Sequence, residues 1–243
     1  MSREPTAVVT GASAGIGEAI ARSLLDAGRT VVTMQRNPPP IEHPAVRFER
    51  VDLSDMAATR DAAHRVASAY DVRYLVNNAG ANCPARLDEA TIDELAYVTN
   101  ITLGAAMLLI QAFVPGMREA RFGRIVNISS RAALGKMGRT VYSTAKAGLI
   151  GMTRTVAIET GPYGITVNAV VPGPVETKHW ARGHPPGSEQ RRTVVDMILV
   201  KRLGTPGDIA RAAAFLLDDD AGFITGQALF VCGGTSVTGT GGQ

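Results

Sequence analysis

Apolar and polar positions along the 243-residue chain follow two alternating periods. Short apolar, β-branched runs are separated by segments in which apolar residues recur every three to four positions, as on one face of a helix. Strands that alternate with helices form a parallel sheet covered on both faces, so the pattern predicts an α/β fold. The predicted strands are 7–13, 30–35, 45–53, 72–80, 123–130, 165–173 and 227–234, and the predicted helices are 17–28, 55–70, 91–119, 141–160, 189–200 and 206–217.

The connection between the second and third predicted strands departs from this alternation. Its segment NPPPIEHP (37–44) contains three successive prolines, which cannot continue a helix. A rigid connection is therefore predicted where a crossover helix would otherwise stand. No linker or internal repeat divides the chain, and its length suits one α/β domain spanning 1–243.

Composition narrows the class of protein. The net charge is +3, Lys and Arg are scattered and aromatic residues are few, which argues against a nucleic-acid surface and suits an anionic small ligand. Apolar runs such as AAMLLIQAFV are too short to span a bilayer, so no membrane partner is expected. Two cysteines, Cys83 and Cys232, and no secretory pattern before the first strand predict a reduced, cytoplasmic protein.

The first strand is followed at once by a glycine-rich turn, TGASAGIG (10–17). Its glycines are Gly11, Gly15 and Gly17, and a helix begins directly after them. Such a turn lets backbone N–H groups approach a pyrophosphate, and the positive end of the helix adds to the attraction. The stretch therefore predicts a dinucleotide site.

A second pattern, VYSTAKAG (141–148), places Tyr142 four residues before Lys146. That spacing is one helical turn, so both side chains share a helix face. The pair suits an acid catalyst and the cation that tunes it, because a neighbouring cation lowers the pKa of a phenol. A half-buried tyrosine beside a solvated lysine is the structural alternative.

Taken in order, six motifs resemble the classical short-chain dehydrogenase/reductase family. They are TGASAGIG, NNAG (77–80), Asn100, ISS (128–130), YSTAK (142–146) and PGPVET (172–177). The resemblance implies a single Rossmann-type, doubly wound domain with a seven-stranded parallel sheet flanked by helices, a nicotinamide cofactor and hydride transfer between a ketone or aldehyde and an alcohol. It also implies a homotetramer, or a homodimer, whose main interface is formed by the helices at 91–119 and 141–160.

The resemblance assigns catalytic roles to Asn100, Ser130, Tyr142 and Lys146. Tyr142 would exchange a proton with the substrate oxygen, which Ser130 would hydrogen-bond. Lys146 would lower the pKa of the phenol and bind the cofactor ribose, and Asn100 would hold a water in a proton relay. Asn100 could instead be a polar helix residue that satisfies a backbone group.

The serine assignment leaves a choice between two neighbours. The segment between ISS and Tyr142 is one residue shorter than the usual family spacing, so counting back from Tyr142 gives Ser129. Side-chain alternation along the strand IVNIS gives Ser130 instead, with the deletion placed in the glycine-containing loop at 135–138. Ser130 is the predicted catalyst, and Ser129 the alternative.

The resemblance also gives a set of cofactor contacts, which favours NADP(H) with NAD(H) as the alternative. Gln35 is neutral at the strand end where NAD-dependent enzymes usually carry an acid, and Arg36 suits a 2′-phosphate. Against this, many NADP-dependent relatives carry a second basic residue at the position of Ala14. Asp52 matches the residue that bonds the adenine amine, or else caps the following helix. The predicted contacts are Gly11, Ser13, Ala14, Gly15, Ile16, Gly17, Arg36, Asp52, Leu53, Asn78, Ala79, Gly80, Tyr142, Lys146, Pro172, Gly173, Val175 and Thr177.

The substrate region is expected at 178–203, a loop-like segment followed by a helix that would close as a lid. Trp180 at its start would contact an apolar part of a small carbonyl or alcohol substrate, together with Ser130 and Tyr142. His179 and His184 fit no standard zinc spacing, so no metal is predicted. A 3-oxoacyl-carrier-protein reductase, which would need a basic surface such as Arg131, Lys136 and Arg139, and a non-catalytic dinucleotide-binding regulator are the alternatives.

Overall fold

The computed structural model describes residues 4–238 and contains the predicted parallel sheet. Within these residues seven strands lie in the order β3-β2-β1-β4-β5-β6-β7, and every pairing is parallel. The α/β, doubly wound prediction is confirmed. The strands are β1 (Pro5–Thr10), β2 (Thr30–Gln35), β3 (Val46–Arg50), β4 (Asp71–Asn77), β5 (Gly123–Ile128), β6 (Ile165–Pro172) and β7 (Ala228–Val231).

The sheet is covered on both faces, and side-chain alternation divides its core into two clusters. Along β1, Ala7 and Val9 belong to one cluster and Val8 to the other, because successive side chains point to opposite faces. The first cluster lies under helices α1 and α8, and the second under α2 and α4. The helices in chain order are α1 (Gly15–Asp26), α2 (Met56–Ala69), α3 (Ile92–Thr99), α4 (Ala105–Glu119), α5 (Thr140–Thr160), α6 (Lys178–Gly183), α7 (Glu189–Met197) and α8 (Pro206–Leu217).

Two helical features differ from the sequence prediction. The helix expected over 91–119 is interrupted by a π-helical turn at Asn100–Gly104, so that α3 and α4 are separate segments. A six-residue helix, α6, occupies the start of the segment predicted as loop. Its first turn is closed by Thr177, whose hydroxyl accepts a hydrogen bond from the Trp180 N–H at 3.1 Å. The proline-rich connection at 37–44 contains no helix, as predicted.

The helical stretch Ile92–Glu119, which includes the π turn, is 28 residues long, and by length and composition alone it could span a membrane. The prediction that the apolar runs are too short to span a bilayer underestimates this stretch, because the helix continues through the π turn. The stretch packs on the rest of the fold, since α4 contacts α2, β4 and β5 and 44% of the most apolar window is buried. The stretch is therefore weak support for a membrane partner.

A buried polar chain joins the sheet to α5. The Asn77 side-chain amide donates to Asn127 Oδ1 at 2.8 Å, and Asn127 Nδ2 donates to Thr153 Oγ1 at 2.9 Å. Asn127 and Thr153 are almost fully buried, and Thr153 in turn donates to the Leu149 carbonyl. These bonds connect β4, β5 and α5, so they fix the helix that carries Tyr142.

We expect Asn127→Ala to lower the free energy of unfolding by about 2–4 kcal/mol, because it opens a cavity and leaves the buried Asn77 amide without its acceptor. Urea unfolding of both proteins measures the loss. The control is Thr144→Ala, which removes an exposed hydroxyl from α5. It should lower the free energy of unfolding by less than about 0.5 kcal/mol. Equal stability of Asn127→Ala and wild type would show that the chain of bonds does not anchor α5.

Candidate active site

The carboxyl ends of β1, β2 and β4 enclose a cavity of about 260 Å³ at the point where strand order reverses. This is where ligands bind in open α/β sheets. Eight predicted cofactor residues line it: Gly11, Ser13, Arg36, Asp52, Leu53, Asn78, Ala79 and Gly80. Gln35, Asn37, Val51 and Ile101 line it as well and were missed as contacts, although each adjoins a predicted site residue or Asn100.

Hydrogen bonds join the glycine turn to the turn after β4. Thr10 Oγ1 accepts the N–H groups of Asn78 and Ala79, both at 2.9 Å. The Asn78 side chain donates back to the carbonyls of Thr10 and Gly11. A Cβ on Gly17 would lie 2.3 Å from the Gly11 carbonyl oxygen, so only glycine allows this close approach.

The N-terminus of α1 faces this turn with its backbone donors uncapped. Ala14 is the N-cap residue, and no side chain accepts from the first N–H groups of the helix. A serine, threonine or aspartate at this position would satisfy one of them. Ala14 thus leaves the donors and the positive helix end available to a pyrophosphate. Thr177 borders the same turn, since a Cβ on Gly15 would lie 3.3 Å from its methyl carbon.

The end of β2 presents a neutral amide and an exposed cation. Gln35 is 6% exposed, and its Oε1 accepts from the Ala12 N–H at 3.2 Å. Its Nε2 is buried without a hydrogen-bond partner among residues 4–238, which is the orphaned donor that a ligand hydroxyl or phosphate oxygen would satisfy. Arg36 keeps two thirds of its side chain exposed.

Asp52 is held beside Arg36 and does not cap a helix. Its Oδ1 accepts from the Ser54 hydroxyl at 2.7 Å and from the Ser54 N–H at 3.0 Å. These hydrogen bonds, with a weaker attraction from Arg36 Nη1 at 3.9 Å, lower the pKa of Asp52 despite partial desolvation. Asp55 is the cap of α2, so the capping alternative for Asp52 was wrong.

Ser130 and Tyr142 meet across the loop between β5 and α5. Burial raises the pKa of the Tyr142 phenol, while hydrogen bonding by Ser130 and the positive charge of Arg139 act in the opposite direction. Ser129 is 3% exposed, and its hydroxyl donates to the Lys146 carbonyl at 2.7 Å. Because that proton is committed to the backbone of α5, the geometry favours Ser130 over Ser129 as the group that bonds a substrate oxygen.

Lys146 lies one turn beyond Tyr142 and is buried, contrary to the solvated alternative. Its Nζ donates to the Ile128 carbonyl at 2.7 Å and stands 5.8 Å from the centre of the Tyr142 ring. Burial lowers the pKa of Lys146 to about 8. A Cβ on Gly80 would be 3.3 Å from this Nζ, so the ammonium borders the turn that lines the cavity. Arg139 is the cation that acts on the phenol here, a contribution absent from the sequence prediction.

Asn100 is exposed in the π-helical turn, next to cavity residue Ile101. Its side chain makes no hydrogen bond to the described residues. The alternative that it satisfies a backbone group is therefore wrong. The remaining role predicted for it, holding a water, stays a prediction.

The segment after β6 forms its own cluster around Trp180. The indole stacks on His184 with ring centres 4.1 Å apart, and the Arg191 guanidinium lies 5.6 Å from the ring centre. Arg191 also pairs with Glu176 at 2.5 Å, joining α7 to the segment that follows β6 and contains Gly173, Val175 and Thr177; Pro172 ends the strand. The structure brings Trp180 into contact with its own segment, and its substrate contact stays a prediction. Within 4–238 no group of three potential metal ligands occurs.

The family model described as enoyl-(acyl carrier protein) reductase matches residues 11–236. The BbsD subunit of (2S)-[(R)-hydroxy(phenyl)methyl]succinyl-CoA dehydrogenase from Thauera aromatica is 38% identical over 95% of this chain and 96% of its own length. Acetoacetyl-CoA reductase from Rhizobium meliloti (strain 1021) is 39% identical over 96% of this chain and 98% of its own length. The chain belongs to the short-chain dehydrogenase/reductase family.

Solved structures of short-chain dehydrogenases agree with the fold. The crystal structure of 3-oxoacyl (acyl-carrier-protein) reductase from Agrobacterium tumefaciens C58 with NADP bound has a TM-score of 0.87 and 29% identity. The comparison covers 95% of this chain and 94% of that one. This short-chain dehydrogenase is thus an NAD(P)-dependent oxidoreductase that interconverts a carbonyl and an alcohol. Three features of the site fit such a cofactor. They are the uncapped N–H groups of α1, the close approach of Gly17 to the Gly11 carbonyl and the Gln35 Nε2 that lacks a partner.

Burial of Lys146 predicts a pH-dependent stability difference. The pKa of Lys146 is about 8 in the fold and ordinarily 10.5, so the unfolded chain binds the proton more tightly. The fold carries the full penalty below pH 8 and regains stability as the pH rises from 8 toward 10.5. We therefore expect wild type to gain about 2 kcal/mol relative to Lys146→Met between pH 8 and pH 10.

Urea unfolding of the two proteins at a series of pH values measures this difference. Lys201→Met, which removes an exposed lysine, is the control and should give a curve parallel to that of wild type. Parallel curves for Lys146→Met and wild type would mean that Lys146 does not titrate abnormally in the fold.

Proposed function

We propose that this protein is an NADP(H)-dependent carbonyl reductase in which Tyr142 is the acid–base group. The observation that carries the catalytic part is the meeting of the Ser130 hydroxyl and the Tyr142 phenol beside the buried Lys146 ammonium. The cofactor preference is supported by the neutral, buried Gln35 and the exposed Arg36 at the end of β2. An acid at that strand end would repel a 2′-phosphate, whereas a guanidinium can bind it bidentately.

A nicotinamide bound in the cavity would supply the hydride that reduces the carbonyl carbon. Ser130 donates a hydrogen bond to the carbonyl oxygen and holds it beside Tyr142. Tyr142 gives its phenolic proton to that oxygen as negative charge develops there, and it accepts the proton back in the oxidation direction. Lys146 and Arg139 favour the phenolate that remains, which offsets the effect of burial on the phenol. Asn100 is proposed to hold the water through which Tyr142 is reprotonated.

Residues 178–203 are proposed to cover the substrate. The helices α6 and α7 are joined by the connection 184–188, in which Gly187 has φ +79°. The Glu176–Arg191 pair ties α7 to the cofactor loop, so a movement of that loop on cofactor binding would carry α7 with it. Closure of this kind excludes water from the reacting atoms.

The proposal also includes a homotetrameric assembly and a cytoplasmic location. Met107 on α4 and Ile158 on α5 are 52% and 79% exposed, which supports burial of both helices against other subunits in a homotetramer. A cytoplasmic location is proposed from the sequence, and a small carbonyl or alcohol is the proposed substrate. No nucleic-acid partner is proposed.

A 3-oxoacyl-carrier-protein reductase is the second candidate function. Its support is the similarity to the NADP-bound reductase of Agrobacterium tumefaciens and the presence of Arg131, Lys136 and Arg139 beside the site. Faster turnover of acetoacetyl-carrier protein than of acetoacetyl-CoA would favour this candidate.

We expect Tyr142→Phe to lower turnover of a ketone by roughly 10²–10⁴-fold, because it removes the proton donor and leaves the ring packing intact. Nicotinamide absorbance with both cofactors measures the rate, and cofactor titration should show binding within about threefold of wild type. Tyr163→Phe, a surface tyrosine near Arg118, is the matched control. A variant that retained more than about a tenth of the activity would exclude Tyr142 as the acid.

We expect Arg36→Ala to weaken NADPH binding by roughly 10- to 150-fold and NADH binding far less, because only NADPH carries the phosphate. Fluorescence titration of each cofactor measures both affinities, with Arg60→Ala on the exposed face of α2 as the charge-matched control. If wild type prefers NADH, the proposed NADP(H) preference is wrong. Equal weakening of both cofactors would identify Arg36 as a structural residue.

A further inference from the structure

Three cations lie on the connection between β5 and α5, the segment that separates Ser130 from Tyr142 in the chain. We call residues 131–139 the basic loop, after Arg131, Lys136 and Arg139. Arg131 directly follows Ser130, and Arg139 is the N-cap residue of α5, three positions before Tyr142. Both ends of the loop thus lie within three residues of a side chain proposed to bind the carbonyl oxygen.

The three side chains act on one another. Desolvation lowers the pKa of Lys136, and repulsion from Arg139 and Arg131 adds to the effect. Two glycines of the loop have positive φ, Gly135 at +100° and Gly138 at +65°, a backbone conformation that favours glycine. A β-bridge between Arg139 and Ala85 holds its end against the segment that follows β4.

No acidic side chain neutralises this cluster within the described part of the chain. Neither a hydrogen bond nor an ion pair involves the side-chain nitrogens of Arg131, Lys136 or Arg139, although other arginines do find partners. Arg202 and Arg211, for example, share Asp208. Like charges held together without a counter-charge cost free energy, and an anion placed among them removes that cost.

We propose that the basic loop binds an anionic group, a carboxylate or a phosphate, that the carbonyl substrate carries besides its reacting oxygen. Arginine matches both groups bidentately, and lysine adds a point charge. The loop also exposes Leu134 and Met137, which suits an anion attached through an apolar chain. This inference rests on the proposed function, because it assigns Ser130 and Tyr142 to the other end of the same molecule.

Two substrate pairs separate the sources of negative charge. Acetoacetate and ethyl acetoacetate differ by a carboxylate charge near the ketone. Acetoacetyl-CoA and acetoacetyl-N-acetylcysteamine differ by the phosphates of the carrier while keeping the same 3-oxothioester. If an anion occupies the basic loop, wild type should have a higher kcat/KM for the member of the pair that carries this anion. The pair with the larger anionic-to-neutral ratio of kcat/KM identifies whether the anion is the carboxylate or the phosphate.

The double variant Arg131→Gln/Lys136→Gln tests whether the loop is responsible. We expect the anionic-to-neutral ratio of the preferred pair to fall by roughly tenfold or more, since each charge-assisted contact is worth about that factor. Arg154→Gln removes one exposed charge from α5 outside the loop and should leave the ratio unchanged. Both mutated side chains of the double variant lie outside the core, and circular dichroism verifies that it is folded.

The outcomes distinguish this inference from the proposed function. A ratio that is unchanged in the double variant, or that falls equally in Arg154→Gln, overturns the anion site. Turnover of the neutral members with no preference for either anion also overturns it and leaves the carbonyl reductase intact. Failure of wild type to turn over any of the four compounds with either nicotinamide counts against both proposals.

Discussion

The hydrogen bonds that join the ends of β1 and β4 are the constraint on which the site depends. Thr10 Oγ1 accepts two backbone N–H groups from the turn after β4, and the Asn78 amide returns two bonds to the glycine turn. One hydroxyl and one amide thereby set the width of the crevice where strand order reverses. The cavity residues Gly11, Asn78, Ala79 and Gly80 belong to the two turns that this junction joins.

At the same edge of the sheet, the ammonium of Lys146 is buried away from water, which destabilises its charged form. Lys146 is buried against the Ile128 carbonyl and close to Gly80, and its surroundings lower the affinity of its amine for a proton. A core optimised only for stability would replace it with an apolar side chain. The proposed function gives a reason to keep it, because an ammonium that sits out of water acts more strongly on a neighbouring phenol, and the Tyr142 ring lies 5.8 Å from Nζ.

Much of this arrangement could be predicted from the sequence because it follows from periodicity. Alternating periods gave the parallel sheet, and the four-residue spacing of Tyr142 and Lys146 placed them on one face of α5. The π turn was missed because NITLG (100–104) contains no proline, so the helical pattern on either side continues through it. Helix α6 was missed because the prolines and glycines after it obscured the Thr177 cap. The buried amide of Gln35 and the reach of Arg139 to Tyr142 depend on how two loops fold, which no local pattern encodes.

The π-helical turn has a consequence for how one helical stretch can serve two surfaces. Relative to an α-helix it inserts one residue, which rotates everything after it by about 100° around the axis. Before the turn Val98 packs with Val141 and Ala145 of α5, and after it Leu109 and Phe113 pack in the cluster on the sheet. The inserted residue therefore lets the apolar side of α3 face α5 while the apolar side of α4 faces the sheet. A chain without the inserted residue would still form a helix here. That helix could pack its apolar residues against α5 or against the sheet, but not against both.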